Sequence, residues 1–385
     1  MILKAFKYRI YPNTKQIEHL NKSIGCARYI YNKGLELKIK QYEKTGKSLS
    51  CFDLTNGMLK EEKTKNDWLK EPYSQVLQMS LRNLDNAFTR FFREKKGFPN
   101  FHSKKGKQSI SYPQFVKIDF ENQGIVLPKC GKIKTVFSRK FEGRIKTTTI
   151  SKTPTGKFFA SILVETDGEL PVKPSVEEKS SVGIDLGIKD FLITSNGEKV
   201  SNPKYQGQEL QRLKVLQSRA SKKQKGSSNR RKANLRVAKL FEKISNQRSD
   251  FLHKTSTKLI RENQTICLED LAVRNMMQNH KLARSIGDCS WFMFVSMLKY
   301  KSDWYGKNLV QIGRFEPSSK TCSVCGSIKQ DLELKDREWV CGSCNTKHDR
   351  DINAAVNIKK FGIVKTIPSG WESPVDPRDT LTVVR

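Results

Sequence analysis

What this sequence is short of narrows its class first. It has no uninterrupted apolar run of about 18 residues, the minimum for a membrane-spanning helix, and Met1-Ile-Leu-Lys-Ala-Phe-Lys7 reads as the start of a strand and not as a secretory leader. A membrane partner is therefore not expected. Histidine is scarce, with five residues at 19, 102, 253, 280 and 348 and no His-x-His pair among them. Acid is short beside base: 39 Asp and Glu face 72 Lys and Arg, a formal charge of +33. The nine cysteines are odd in number and only four have a paired spacing, which argues against a disulfide scaffold and for a reducing, cytoplasmic setting.

What is present supports real cores. The 385 residues can hold about two or three compact units, and 36% hydrophobic residues with 20 Phe exclude disorder throughout. A charge of +33 exceeds what solubility requires and repels itself without a polyanion, so nucleic acid is the expected partner. The chain would then be nucleoid-associated when on DNA.

Taken in order, residues 2–11 alternate Phe6, Tyr8 and Ile10 with Lys7, Arg9 and Tyr11, a strand with one apolar and one basic, aromatic face. Lys7 and Arg9 are candidate nucleic-acid contacts. Asn13 and Gln16 have the spacing of a capping box, after which Ile17, Leu20, Ile24, Ala27, Tyr31 and Leu35 recur at helical intervals. A second helix follows Glu71-Pro72, with Leu77, Leu81, Leu84, Phe88 and Phe91 on one stripe that reads as core, ended by Gly97 and Pro99. Strand patterns return from 108 to 165, where Thr153-Pro-Thr-Gly156 turns one strand back on the next. These segments suggest a small β-barrel, 1–12 and 101–172, interrupted by a helical insertion, 13–100, with 173–180 as a linker.

Between Arg212 and Arg248 there are thirteen Lys or Arg and a single acid, Glu242. Gly226-Ser-Ser-Asn229 divides this run, so it reads as a basic helical hairpin spanning about 206–262. A charge run is ordinarily a solvated face, but one sign over two helices fits phosphate tracking. Lys222, Lys223, Lys225, Arg230, Arg231, Lys232 and Arg236 are the contacts this suggests.

Two apolar runs end on acids. Val182 and Ile184 deliver Asp185, with Phe191 to Thr194 returning after a turn at Gly187, and residues 265–268 deliver Glu269. A third acid, Asp351, opens a helix in which Ala354 and Ala355 permit close approach to a sheet. Each alone has a plain reading as turn residue, solvated strand end or N-cap. Three converging carboxylates would repel unless cations sat between them. Oxygen donors of that kind suit Mg²⁺, and two such ions clamp the attacking and leaving oxygens of a phosphodiester. Cys322-Ser-Val-Cys325 and Cys341-Gly-Ser-Cys344, fifteen residues apart, have the spacing of a closed, structural zinc site, with Gly326 and Gly342 supplying the turns and His348 a competing ligand.

The ordered set Gly183-Ile-Asp-Leu-Gly187, Leu268-Glu-Asp-Leu271, Ser318-Ser-Lys-Thr-Cys-Ser-Val-Cys-Gly326, Asp336-Arg-Glu-Trp339 and Asp349-Arg-Asp-Ile-Asn-Ala-Ala355 resembles the successive motifs of the TnpB (OrfB) family, transposon-encoded nucleases similar to type V CRISPR effectors. The resemblance implies an α/β multidomain chain. Its parts would be a wedge barrel holding guide RNA, an inserted helical recognition lobe, a RuvC-like nuclease domain of the ribonuclease H type (181–319 and 347–361), a zinc ribbon (320–346) and a flexible tail (362–385). The activity implied is RNA-guided cleavage of double-stranded DNA beside a short target-adjacent motif. Asp185, Glu269 and Asp351 would hold two Mg²⁺, Cys322, Cys325, Cys341 and Cys344 one Zn²⁺, and the guide would come from the transposon end. Asp-x-Asn-Ala-Ala selects Asp351, leaving Asp349 as a solvent-facing or zinc-loop charge. A monomer is favoured, a dimer on one guide remaining open. The alternatives are a strand-transfer transposase and a non-cleaving nucleic-acid binder.

Overall fold

The structure is a computed structural model that describes residues 2–333 and 335–366. It divides into two compact units, Met1–Glu169 and Leu170–Arg385. Among the described residues no helix is long and apolar enough to cross a membrane.

In the first unit, β1 (Ile2–Tyr11) is followed by α1 (Thr14–Thr45), α2 (Cys51–Asp53), a π-helical turn, α3 (Leu59–Lys65) and α4 (Ser74–Glu94). Then come β2 (Gln108–Tyr112), β3 (Lys117–Asp119), β4 (Gly124–Leu127), β5 (Gly131–Val136), β6 (Arg144–Lys152) and β7 (Phe158–Thr166). These strands form one antiparallel sheet of order β2-β6-β7-β1-β5-β4-β3. The two edge strands, β2 and β3, are consecutive in sequence. Residues 113–116 can span at most about 18 Å between them, so the sheet curls until its edges approach. It does not close: β3 is three residues long and pairs with β4. The expected barrel is thus an open, strongly curved sheet.

Its concave core follows the alternation of the strands. Tyr8, Ile10, Phe158, Ala160, Ile162 and Val164 are buried together with Leu20 and Ile24 of α1 and Val76 of α4. The capping box at Asn13 and Gln16 is formed, and Gly46 ends α1 in the left-handed region. The short helices at 51–65 are an addition to the sequence reading. They escape it because they carry no full amphipathic period. The stripe on α4 is core only through Leu84; Phe88 and Phe91 are half-buried, and Phe92 beside them is exposed. Helix α4 also ends earlier than Gly97, at Lys95 with φ 50°.

The second unit contains β8 (Ser181–Asp185), β9 (Asp190–Thr194), β10 (Lys199–Ser201), α5 (Tyr205–Gln208), α6 (Leu210–Ser221) and α7 (Ser228–Glu262). It continues with β11 (Thr265–Glu269), α8 (Val273–Met276), α9 (Ala283–Cys289), α10 (Trp291–Trp304) and β12 (Asn308–Ile312), then β13 (Glu338–Val340), β14 (Lys347–Asp349) and α11 (Arg350–Thr366). The sheet order is β10-β9-β8-β11-β12, with β8, β11 and β12 parallel and β9 and β10 antiparallel.

Parallel strands must be covered on both faces. On one face Val182, Ile184, Ile266 and Leu268 pack against Leu252 and Leu259 of α7 and Trp291, Phe294 and Leu298 of α10. Phe292 is 76% exposed, whereas the buried set Trp291, Phe294, Met297, Leu298 and Lys301 follows the helical period. Lys301 is itself buried and donates to the His253 carbonyl and to the hydroxyls of Ser256 and Thr257, which fastens α10 to α7; burial lowers its amine to about 8.

On the other face lies α11. Cys267, Ile312 and Ile358 are buried there. Approach is close enough that a Cβ on Gly183 would overlap the Ala355 carbonyl, and one on Gly362 the Cys267 side chain. The helix therefore continues past 361, where a tail was expected, to Thr366; residues 367–385 lie outside the described residues. Gly183→Ala should destabilise the second unit by about 1–3 kcal/mol, read as a drop in its thermal midpoint of about 2–4 °C per kcal/mol. An unchanged midpoint would contradict the contact.

Candidate active site and zinc centre

Asp185 and Glu269 are the last residues of β8 and β11, whose parallel register pairs Ile184 with Leu268. Both carboxylates thus leave the sheet at the carboxyl ends of adjacent parallel strands, where open α/β sheets place their ligands. Asp351, the second residue of α11, joins them because α11 packs on β8. The Asp185 carboxyl is pushed up to about 7, first by burial and then by the negative charges of Glu269 and Asp351; Arg350 and the Leu186 amide oppose the rise.

The three acids are held by different partners. Glu269 Oε1 accepts from the Ser318 hydroxyl at 2.5 Å, and Asp351 pairs with Arg337 at 3.3 Å and Arg350 at 3.4 Å. They form a looser set than the cysteines. Among the described residues the four cysteines are the one group of three or more His, Cys, Asp or Glu whose ligand atoms all lie within 4.8 Å. Asp349 is not a solvent-facing or zinc-loop charge. Its Oδ1 accepts from the backbone N–H groups of Asp351 and Ile352 at 3.0 Å each, and Oδ2 pairs with Lys199 at 2.6 Å. Asp349 therefore caps α11, which leaves the Asp351 carboxylate free of that duty.

In the cysteine cluster, Cys322 and Cys344 lie 3.6 Å apart and Cys325 and Cys341 3.5 Å apart. A tetrahedron with metal–sulfur bonds of about 2.3 Å has edges of about 3.8 Å, so the donor set fits Zn²⁺. The Ser327 hydroxyl, followed by the Cys344 amide, lowers the Cys341 thiol to about 5, whereas burial pushes Cys322 up to about 12. Gly326 makes the first turn with φ 77°; the second is made by Asn345 with φ 56°, not by Gly342. His348 is buried against Trp339, its Nε2 3.1 Å from the Cys322 sulfur.

A buried amide pair connects this unit to the acids, and the sequence reading missed it. Asn353 donates to the Thr321 carbonyl and accepts from the Ser323 amide, while Asn357 donates to the carbonyls of Ser318 and Thr321. The segment carrying Ser318 is thereby stitched to α11. Two Asn four residues apart inside a helix, where Asn is unfavourable, were the available signal.

The basic candidates fall on two surfaces. Lys222, Lys223, Lys225, Arg231, Lys232 and Arg236 are exposed along the α6–α7 hairpin, whose own small core is Leu213, Leu240 and Ile244. Arg230 is half-buried and donates to the Lys223 carbonyl, closing the turn. Some members of the wider run pair with acids, Arg212 and Lys243 with Glu209 and Arg248 with Asp288. In the first unit Lys7 and Arg9 lie over the Phe159 ring at 4.7 and 5.2 Å.

Residues 161–280 match the family profile described as "Probable transposase" from OrfB of IS605, and residues 291–358 match "Cas12f1-like, TNB domain". A protein of Streptomyces pristinaespiralis, named provisionally as an RNA-guided DNA endonuclease, is 40% identical over 367 residues, covering 94% of this chain and 90% of its own. This chain belongs to the TnpB (OrfB) family. InsQ of Escherichia coli K12, with the same provisional name, is 31% identical over 94% of this chain and 92% of its own. A Cas12f1–sgRNA–target DNA complex shares the fold, with TM-score 0.50 and 14% identity over 93% of this chain and 98% of that one. Residues 1–47 match a profile described as a helix-turn-helix domain, yet here this TnpB chain has a strand followed by one 32-residue helix.

Two outcomes test the geometry. Because its folded value is raised, charged Asp185 costs stability once the pH exceeds the unfolded value near 3.8, and the cost grows until about 7. Asp185→Asn should therefore raise the thermal midpoint of metal-depleted protein at pH 8, with the gain vanishing toward pH 4. Wild type should recover the difference on adding Mg²⁺. Zinc removal by a chelator, or Cys341→Ser, should abolish one bound zinc per chain by elemental analysis and expose residues 320–346 to protease.

Proposed function

We propose that this chain is an RNA-guided endonuclease that hydrolyses phosphodiester bonds of double-stranded DNA. The observation that carries this reading is the placement of Asp185 and Glu269 at the carboxyl ends of adjacent parallel strands, with Asp351 in the first turn of the helix packed on them; burial first, and then the charges of Glu269 and Asp351, raise the Asp185 carboxyl. The family relationship supports the guide and the DNA target, since two full-length relatives carry the name RNA-guided DNA endonuclease provisionally.

Asp185, Glu269 and Asp351 would hold the cations, and an all-oxygen donor set of mutually repelling carboxylates suits Mg²⁺. Bound Mg²⁺ ions supply Lewis-acid activation of water and charge neutralisation at the scissile phosphate. Ser318 orients Glu269, and Arg337 and Arg350 hold Asp351. Cys322, Cys325, Cys341 and Cys344 hold a structural zinc that orders the segment between β12 and α11. The curved sheet of residues 1–12 and 101–172 would grip guide RNA, the insertion 13–100 would serve as recognition lobe, and residues 181–319 with 347–361 as the RuvC-like nuclease. The exposed hairpin cations would follow a duplex backbone.

Protein copurified with cellular RNA should cut a DNA library matching that RNA in Mg²⁺. Asp185→Ala should lower the rate by more than about 100-fold, beyond the effect typical of an outer-shell partner, with target binding retained. Normal cutting by this variant would remove the active-site assignment. Strand joining without guide RNA would favour the transposase alternative, and binding without any cutting by wild type the non-cleaving one.

A further inference from the structure

The helical insertion carries an aromatic cluster that the hydrophobic core leaves outside. Phe92 is 73% exposed, Phe98 46% and Tyr42 of α1 61%. The rings brace one another edge to face: Phe98 lies 5.5 Å from Phe88 at 90° and 5.4 Å from Phe91 at 83°, and Phe91 lies 5.0 Å from Phe92 at 64°. With Tyr42 and Ile39 they line an apolar cavity of about 280 Å³, room for a planar ring system. Its floor is fixed by Lys38, buried, paired with Asp85 at 3.3 Å and set 4.9 Å from the Phe88 ring.

Glu43 and Ser48 also line the cavity, and the segments that carry its rings are rich in exposed cations. Lys44, Lys47, Arg90, Arg93, Lys95 and Lys96 are all exposed, and the acids among residues 42–48 and 88–98 are Glu43 and Glu94. Exposed aromatic rings on segments rich in exposed cations match a ligand that carries flat apolar faces and regularly spaced negative charge together. An unpaired nucleic-acid strand has both. A base-paired duplex has its faces already stacked and offers only phosphate.

We propose that the Phe92–Phe98 cluster is a stacking site for unpaired bases of a single nucleic-acid strand. It deepens the nucleic-acid reading above, and its test involves no cleavage. Full-length protein without added Mg²⁺ would be titrated, at a salt concentration that suppresses phosphate contacts, with a labelled oligothymidylate and with an abasic strand of equal length. Wild type should favour the base-bearing strand by about 5-fold or more, the lower end of one stacked base. Phe92→Ala with Phe98→Ala should erase that preference while binding the abasic strand as wild type does, and Phe92→Trp should keep it. In a parallel titration at low salt, where phosphate contacts count, Lys95→Ala with Lys96→Ala should weaken both strands alike. Should the double Phe variant misfold, Phe92→Ser alone, at a mostly exposed position, must lower the preference. Equal affinity of wild type for the two strands, or a preference that survives the Phe changes, overturns the proposal, as does loss of a dimer in light scattering on Phe92→Ser with strand preference intact. Guided cleavage measured separately is unaffected by these outcomes, so the nuclease reading stands or falls on its own assay.

Discussion

Three negative charges forced toward one point are the constraint on which the second unit depends. Asp185 cannot be buried beside Glu269 and Asp351 without an energetic cost, which shows as the upward shift of its carboxyl. The surrounding structure supplies the compensation. Parallel pairing of β8 with β11 sets the first two acids side by side, and glycines at 183 and 362 let α11 approach the sheet closely enough to add the third. Substituting a larger residue at either glycine would act on the same geometry as removing an acid, through packing and not through charge.

The zinc centre solves a different problem at the same place. The segment from Gly313 to Asp349 has little core of its own, with Leu332 and Trp339 its buried apolar side chains beside the cysteines. A small unit of that kind needs a staple. Four sulfurs close it, and Asn353 and Asn357 tie its root to α11. The consequence reaches Glu269, because Ser318, which donates to that carboxylate, sits in the stitched segment. The cysteine-bearing segment and the Glu269 carboxylate are thus joined through Ser318.

Exposed charge and exposed apolar surface are concentrated on different elements. The α6–α7 hairpin offers cations on a helical frame, while Lys243 and Arg248, of the same sign, are consumed in structural pairs with Glu209 and Asp288. The insertion in the first unit adds exposed rings to its cations. Phosphate contact is indifferent to base and falls with salt, whereas stacking distinguishes unpaired strands from duplex. On the proposed reading the two surfaces would select for different features of one ligand class.

Much of this was legible in order of residues. Alternation in β1 and β7, the capping box at Asn13, the strand-end positions of Asp185 and Glu269 and the paired Cys spacing are local patterns, set by periodicities of two and 3.6 and by ligand geometry. What the sequence could not state was which side chain wins when two satisfy the same local rule. Asp349 and Asp351 both suit a helix start, and only the packed α11 assigns the cap to Asp349. Phe91 and Phe92 both suit a stripe, and only the end of the core at Leu84 leaves Phe92 in solvent. The curved sheet stays open because a three-residue edge strand has no partner beyond β4. Sequence alone determined the element types and the metal-type spacing of the four cysteines, since these depend on neighbours a few positions away. Tertiary structure decided the cap, the exposed rings and the sheet's closure, since these depend on contacts between residues distant in the chain.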